Sequence, residues 1–500
     1  MMKPIINLII ILLGLPLGIQ AETYLNGSYE TSFDIRRDTG SYKWQLDYPW
    51  HRLELRFFTN PLESVDFFIK TYANYDHTAY GENSQYKNQL FQLAESHVHY
   101  RIGSRDRFDI FLFAKQNRFF LGDPLLNLVN NDKDKWDYDG ATDTSKVAGA
   151  SLEMDGFMPG FHLKFFNAHM YEQQVDGYGL RVYDDLIKEK LRLGATTTYK
   201  KWPGGLNNYN VVVAADVWFN ILKNYFTVEG AKSDTPGDYT LKENDDAFKI
   251  EYRRNLDFQA LGLGAGDIDL ILSAREIGEH FRAYLSKEYD NDNRYDQRGY
   301  FVETKYRPPL KAVTFTYHRD YYKKHTITYS QTDDFFESYI EFINNFNLKI
   351  WYQTLHQFNW DRIQITKLDG TTQSVYLQDD RWSHLFWELT MNDEITFVKL
   401  QFKIKNIKSE YLRYIYGSEF SINITKRLKS LNRVLVVDEI YRSRNTLWSQ
   451  IQYNFGPGTD FYLEYGNDSF VNNDLVNDDD FVESDNNMEH KIHLYLKVSF

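Results

Sequence analysis

A side-chain period of two runs through nearly the whole chain. In His51–Phe58, Leu53, Leu55 and Phe57 share one face, and Arg52, Glu54 and Arg56 share the other. In Arg107–Lys115, Phe108, Ile110, Leu112 and Ala114 oppose Arg107, Asp109 and Lys115. The pattern returns in Leu191–Lys200, Tyr300–Arg307 and Tyr411–Ile424. Successive side chains of a strand point to opposite faces, so this period predicts sheet with one apolar and one polar face. The best helical stretch, Asp185–Arg192, is short and falls in a connection or strand start. A chain of 500 residues exceeds the roughly 250–300 that one ordinary core supports. It therefore forms several soluble β domains or one very large closed sheet. With no cysteine it is not a disulfide scaffold. A mean hydropathy of -0.56 leaves no room for a bundle of apolar helices, and 84 aromatic rings exclude disorder.

The connections alternate in length. Tight ones fall at 103–105, 158–160, 307–309, 345–347, 391–393 and 456–458, and longer Asp/Asn-rich ones at 119–145, 276–297, 359–380 and 468–487. Turns at one end and long loops at the other describe an up-and-down antiparallel meander. Counting them predicts about 24 strands, within 16 to 26, each taking roughly 20 residues of the mature chain with its share of turn and loop. The pattern is weakest over 209–275, where Asn220–Asn224 is a turn or a bulge. Gly262, Gly264 and Gly266 fall in a strand pattern, where glycine eases curvature.

Met1–Ala21 reads as a secretory signal peptide: Lys3 supplies the positive start, Ile5–Leu17 an apolar core, and the chain turns polar at Glu22. No cysteine follows for lipid attachment. Residues 22–500 are then one domain that leaves the cytoplasm. The net charge of -13 over the whole chain gives no footing for nucleic acid.

Alternation alone does not say whether the apolar face meets a core or lipid. Three features favour lipid. The chain ends with Ile492, Leu494, Leu496, Val498 and Phe500 on one face and an aromatic as its last residue. This resembles the C-terminal β-signal of bacterial outer-membrane proteins, which the barrel-assembly machinery reads. Tyr300, Tyr306, Trp387, Tyr414, Tyr416, Tyr453 and Tyr465 stand near strand ends on the presumed outer face, as interfacial girdles require. The presumed inner faces carry charges of both signs, as in Lys249-Glu251-Arg253 and Glu303-Lys305-Arg307. The turn Asn454–Asp460 and the closing Leu496-Lys497-Val498 make about the last 60 residues similar to the C-terminal barrel of a little-characterised bacterial family, often preceded by a family-9-type carbohydrate-binding module. Here the barrel pattern starts at about Tyr24, so that module and any TonB-dependent plug are expected to be absent.

The fold expected is all-β: a single large antiparallel up-and-down transmembrane β-barrel in the outer membrane of a Gram-negative bacterium. Its pore-lining residues are expected to include Arg52, Glu54, Arg56, Glu95, His97, His99, Arg101, Arg107, Asp109, Arg192, Glu303 and Lys305. His97 and His99 share a strand face compatible with metal, yet no third ligand is identifiable and a charged ladder explains them as well. Asp132, Asp134, Asp137 and Asp139 precede Gly140 but lack the spacing and terminal Glu of a calcium loop. Leu125, Leu126, Leu128 and Val129 in the same loop want burial, so the loop either folds into the lumen as a constriction or stays outside. No nucleophile motif or P-loop is present, and neither enzyme chemistry, cofactor nor resident metal is expected. The function expected is a porin-like channel for small hydrophilic solutes, with outer-membrane lipid and the assembly machinery as partners. The alternative is a non-conducting barrel that docks a partner through long acidic loops.

Overall fold

A computed structural model describes residues 22–37, 43–46, 50–76, 92–103, 108–115, 121–129, 147–156, 158–170, 174–203, 209–235, 243–262, 264–285, 296–309, 312–325, 329–343, 345–366, 372–407, 411–439, 442–466 and 490–500. The expected signal peptide, Arg107 and the acidic stretch 132–140 lie outside the described residues.

Every regular element described is a strand. In chain order they are β1 (Glu22–Arg37), β2 (Trp44–Leu46), β3 (Trp50–Leu62), β4 (Val65–Asp76), β5 (Gln92–Ile102), β6 (Phe108–Ala114), β7 (Val147–Asp155), β8 (Phe161–Met170), β9 (Val175–Ile187), β10 (Leu191–Lys201), β11 (Tyr209–Ile221), β12 (Asn224–Thr235) and β13 (Glu243–Asp257). They continue as β14 (Asp267–Ile277), β15 (Gln297–Arg307), β16 (Val313–Lys323), β17 (Tyr329–Ile343), β18 (Phe346–Thr366), β19 (Thr372–Asn392), β20 (Thr396–Ile407), β21 (Tyr411–Asn423), β22 (Leu428–Glu439), β23 (Arg442–Gly456), β24 (Thr459–Gly466) and β25 (Lys491–Ser499).

All belong to one antiparallel sheet in which chain neighbours are sheet neighbours. β25 returns to β1, pairing from Ser28↔Ser499 to Arg36↔Lys491, so the sheet closes. β2 and β3 share one position beside β1: Ile35–Arg37 face β2 and Glu22–Ser32 face β3. The barrel therefore has 24 strand positions, the number expected from the alternation of turns and loops. Closure joins the first and last strands of the wall, so neither is left as an open edge, which is what a strand wall in hydrocarbon requires.

Most of the exposed large apolar side chains on the strands fall on one face of this sheet, among them Tyr29, Phe33, Leu112, Leu193, Phe248, Leu272, Trp387, Leu400 and Ile451. That face is the outside. On β25 Ile492, Leu494, Leu496 and Val498 point out, while Lys491, His493, Tyr495 and Lys497 point in against Arg36, Asp34, Ser32 and Glu30. By the same registers all seven residues of the expected aromatic girdles stand on the outer face.

Asp185–Arg192 spans a connection and a strand start, with no helix: β9 runs to Ile187, a turn with Glu189 at φ 60° follows, and β10 pairs back with Leu193 opposite Asp184. Two local expectations are corrected. Gly262, Gly264 and Gly266 do not ease a strand. They lie in the turn after β13 at φ 70°, 105° and 111°, where glycine alone is unstrained. Residues 359–380 are no loop, because β18 and β19 stay paired to Thr366↔Thr372. β17 pairs only as far as Asn359 and β20 only as far as Ser383, so a two-stranded arm rises above the wall. Asn220–Asn224 resolves as a turn, with Leu222 and Lys223 at φ 52° and 63°, the paired left-handed geometry that suits a two-residue hairpin.

Candidate functional site

The lumen wall is the surface on which the alternation places its charge. On β3, Glu54 lies between Arg52 (3.4 Å) and Arg56 (2.6 Å) and also meets Lys70 of β4 at 3.2 Å. One strand further, His99 sits between Asp66 (3.3 Å) and Asp109, and Arg101 holds Asp66 at 2.7 Å. His97 stacks on Phe68 with ring centroids 5.3 Å apart, and Glu95 is opposite Lys70 in register. Arg52, Glu54, Arg56, Glu95, His97, His99, Arg101 and Asp109 thus form one continuous inner surface over β3–β6. The other sequence-derived positions lie elsewhere on the inner face. Arg192 on β10 is held by Asp185 at 2.6 Å, and Glu303 and Lys305 on β15 stand opposite Ile271 and Asp269 of β14. Among the described residues no group of three or more His, Asp or Glu side chains is arranged to hold a metal ion.

Two segments fold inward onto the stretch of wall that follows β6. Residues 121–129 bury Leu121, Leu125, Leu126, Leu128 and Val129, so the apolar run seen in the sequence enters the barrel. They pack on the inner faces of β7–β14, against Phe166, Ala168, Val212, Ala214, Ala231 and Ala247. Small side chains there make the space. At Gly179 a Cβ would fall 2.2 Å from Phe166 Cε1 and 2.9 Å from Leu121 Cδ1.

Residues 279–285 form the second strap, with Phe281, Ala283 and Leu285 buried. It crosses the strands, and each one gives it a polar side chain. Asp245 of β13 accepts from His280 N (2.8 Å), and Ser233 of β12 accepts from Arg282 N (3.1 Å). Asn210 of β11 accepts from Tyr284 N (3.2 Å) and donates to Arg282 O (3.1 Å), while Lys200 of β10 donates to Tyr284 O (2.9 Å). Buried backbone groups need such partners.

Beneath the first strap lies a buried ion pair: Arg181 on β9 reaches Asp216 on β11 with two contacts, 2.7 and 3.0 Å, the side chains being 3% and 1% exposed. A third interior patch spans β18–β23, where Trp351, Phe386, Ile415, Leu435, Val437 and Trp448 are buried together and Lys403 Nζ lies 5.5 Å above the Trp351 ring. Sequence reasoning missed the second strap, the Arg181–Asp216 pair and this patch. The available signal was the run of small and apolar residues at inward positions of β9–β13, which only a covered wall would carry.

A 24-stranded wall at ~4.8 Å spacing and ~40° tilt has a backbone circumference of roughly 150 Å, or about 45–50 Å across if round. The straps occupy one side of such a bore.

No family model matches this sequence, and no curated protein matches it. Solved structures that align with it include the siderophore receptor PirA from Pseudomonas aeruginosa, at 8% identity and a TM-score of 0.48, over 95% of this chain and 80% of that one. PirA from Acinetobacter baumannii aligns at 9% and 0.48, over 96% and 81%. The P pilus usher PapC translocation pore aligns at 8% and 0.45, over 95% and 99%. The barrel described above rests on the chain's own strand pairing, from β1 round to β25.

Proposed function

We propose that this chain is an outer-membrane conduit through which small hydrophilic solutes pass along a charged lumen narrowed by the two straps. The observation that carries this reading is that inward-pointing charges stay wet: the Arg56 and Arg253 side chains are 53% and 59% exposed although both face the lumen. A sealed interior would not hold such groups without full pairing. In this reading residues 1–21 are removed on export, and Ile492, Leu494, Leu496, Val498 and Phe500 form the strand the assembly machinery recognises. Residues 22–500 then sit in lipid, with short turns and the C-terminus on the periplasmic side. The β3–β6 charges set selectivity by presenting both signs to a passing ion.

The experiment is planar-bilayer recording of the purified, folded barrel. Stepwise current is expected, with its reversal potential in a salt gradient shifted towards cations by Arg56→Glu. A barrel shown to be folded by heat-modifiable migration that never conducts would overturn the reading. It would favour a second one, a scaffold that docks a partner without flux. The strap-covered wall over β7–β14 and the β18–β19 arm support that alternative.

A further inference from the structure

The strap 121–129 is seated on charge as well as on apolar surface. Glu229, fully buried on β12, accepts the N–H groups of Leu125 and Leu126 through Oε2 at 2.7 and 2.9 Å, while its Oε1 is buried with no hydrogen-bond partner. On the strap itself, Asp123 accepts Leu128 N–H at 2.8 Å. The charged groups facing this pair from the wall are Arg181 of β9, Asp216 of β11 and Lys249 of β13. Arg181 is committed to Asp216, and Lys249 donates to Leu125 O at 3.1 Å. Three carboxyl groups therefore face two cations in a buried volume. A buried carboxyl with an orphaned oxygen is better seated without its charge.

We propose that the strap is a pH-governed barrier: it stays on the wall while the Asp123 carboxyl, facing Glu229 and Asp216, keeps its proton, and lifts as that proton is lost. The movement stands on the geometry of the seat; its consequence for flux rests on the conduit reading.

Burial pushes the Asp123 carboxyl up to about 6, against the Leu128 N–H and Arg181, which favour its charge, and with Asp216 adding to the rise. An acid whose value is higher seated than free stabilises the seat fully below its free value. It loses that contribution as pH rises through the seated one. Between about pH 4 and about pH 6 the seating equilibrium weakens by on the order of a hundredfold. Apolar burial and the ordering of the strap are of similar size and opposite sign, so a change of this size decides whether the strap is down.

The chain has no cysteine, so a single introduced one reports cleanly. The full-length barrel would carry Leu128→Cys, at a fully buried position, or Pro124→Cys, at an exposed one on the same strap. Each is labelled with a methanethiosulfonate reagent after heat-modifiable migration confirms folding. The ratio of the two rates, buried over exposed, cancels the thiol's own ionisation. It is expected to rise by about tenfold or more from about pH 5 to about pH 8, and to stay flat in an Asp123→Asn background. That variant keeps the acceptor for Leu128 N–H and removes the charge. A flat ratio in the native background, or an equal rise in the Asp123→Asn background, would overturn the proposal. If the ratio rises as expected and no current flows at either pH, the seat stands and the conduit reading falls.

Discussion

Replacing Arg181 with Met is expected to lower the stability of the barrel by about 3–5 kcal/mol, the cost of leaving a buried charge without its partner. Asp216 would lose both its contacts, at 2.7 and 3.0 Å. It would then share the space under the strap with Asp123 and Glu229. The measurement is the urea midpoint of the heat-modifiable band in detergent, read beside the double variant Arg181→Met/Asp216→Leu. Because removing both members of a buried pair is often neutral, the double variant is expected to recover most of the loss. The difference between the single and double variants measures the coupling. A single variant within about 0.5 kcal/mol of the native barrel, the range of an ordinary surface change, would mean the pair is wet rather than buried.

The second large effect is expected at the last residue. Phe500 exchanges two backbone hydrogen bonds with Gly27, at 2.8 and 3.0 Å, and its ring tip lies 3.0 Å from where a Cβ on Gly27 would stand. Deleting Phe500 is expected to cut the folded fraction in cells severalfold. Refolding from urea into lipid vesicles should suffer much less, since two such bonds contribute about 0.5–1.5 kcal/mol each. That inequality separates a residue read during assembly from one that only closes the seam. Equal losses in both settings would remove the assembly role and leave the structural one.

The barrel was legible because one face of most strands meets water and the other does not. Arg52-Glu54-Arg56 against Leu53-Leu55-Phe57 is unambiguous for that reason, and the registers put the two sets on opposite faces of β3. The region 209–275 was the hardest to read for a reason the structure supplies. Val211, Val212, Val213, Ala214 and Ala215 are apolar on both faces, since Val212 and Ala214 face a strap while Val211 and Val213 face outward. A covered inner wall erases the contrast that marks a strand. The leucines of 121–129 announced burial but not the place of it, because their receiving wall is assembled from strands as far away as β14. Phe281-Arg282-Ala283-Tyr284-Leu285 alternates and still belongs to the connection after β14; its path into the lumen depends on partners in β10–β13 that no local pattern reveals. The β18–β19 arm reads as loop from sequence alone, since aspartates such as Asp379 and Asp380 are common in loops while their pairing partners, Phe358 and Gln357, lie more than twenty residues back.

Closure of the sheet is the claim on which everything above depends, since it gives each strand its inside and outside. It is tested by a cysteine pair, Ser32→Cys with Tyr495→Cys, which stand opposite each other across the β1–β25 seam. Directly opposed positions in an antiparallel pair fall within disulfide reach, and the chain offers no competing thiol. The folded protein is expected to form this bond in high yield, detected as a reducible change in the migration of the heat-denatured chain. Ser32→Cys with Lys491→Cys, four residues out of register, should form little. Failure of the first pair to join, or equal yields from both, would contradict a closed 24-stranded barrel.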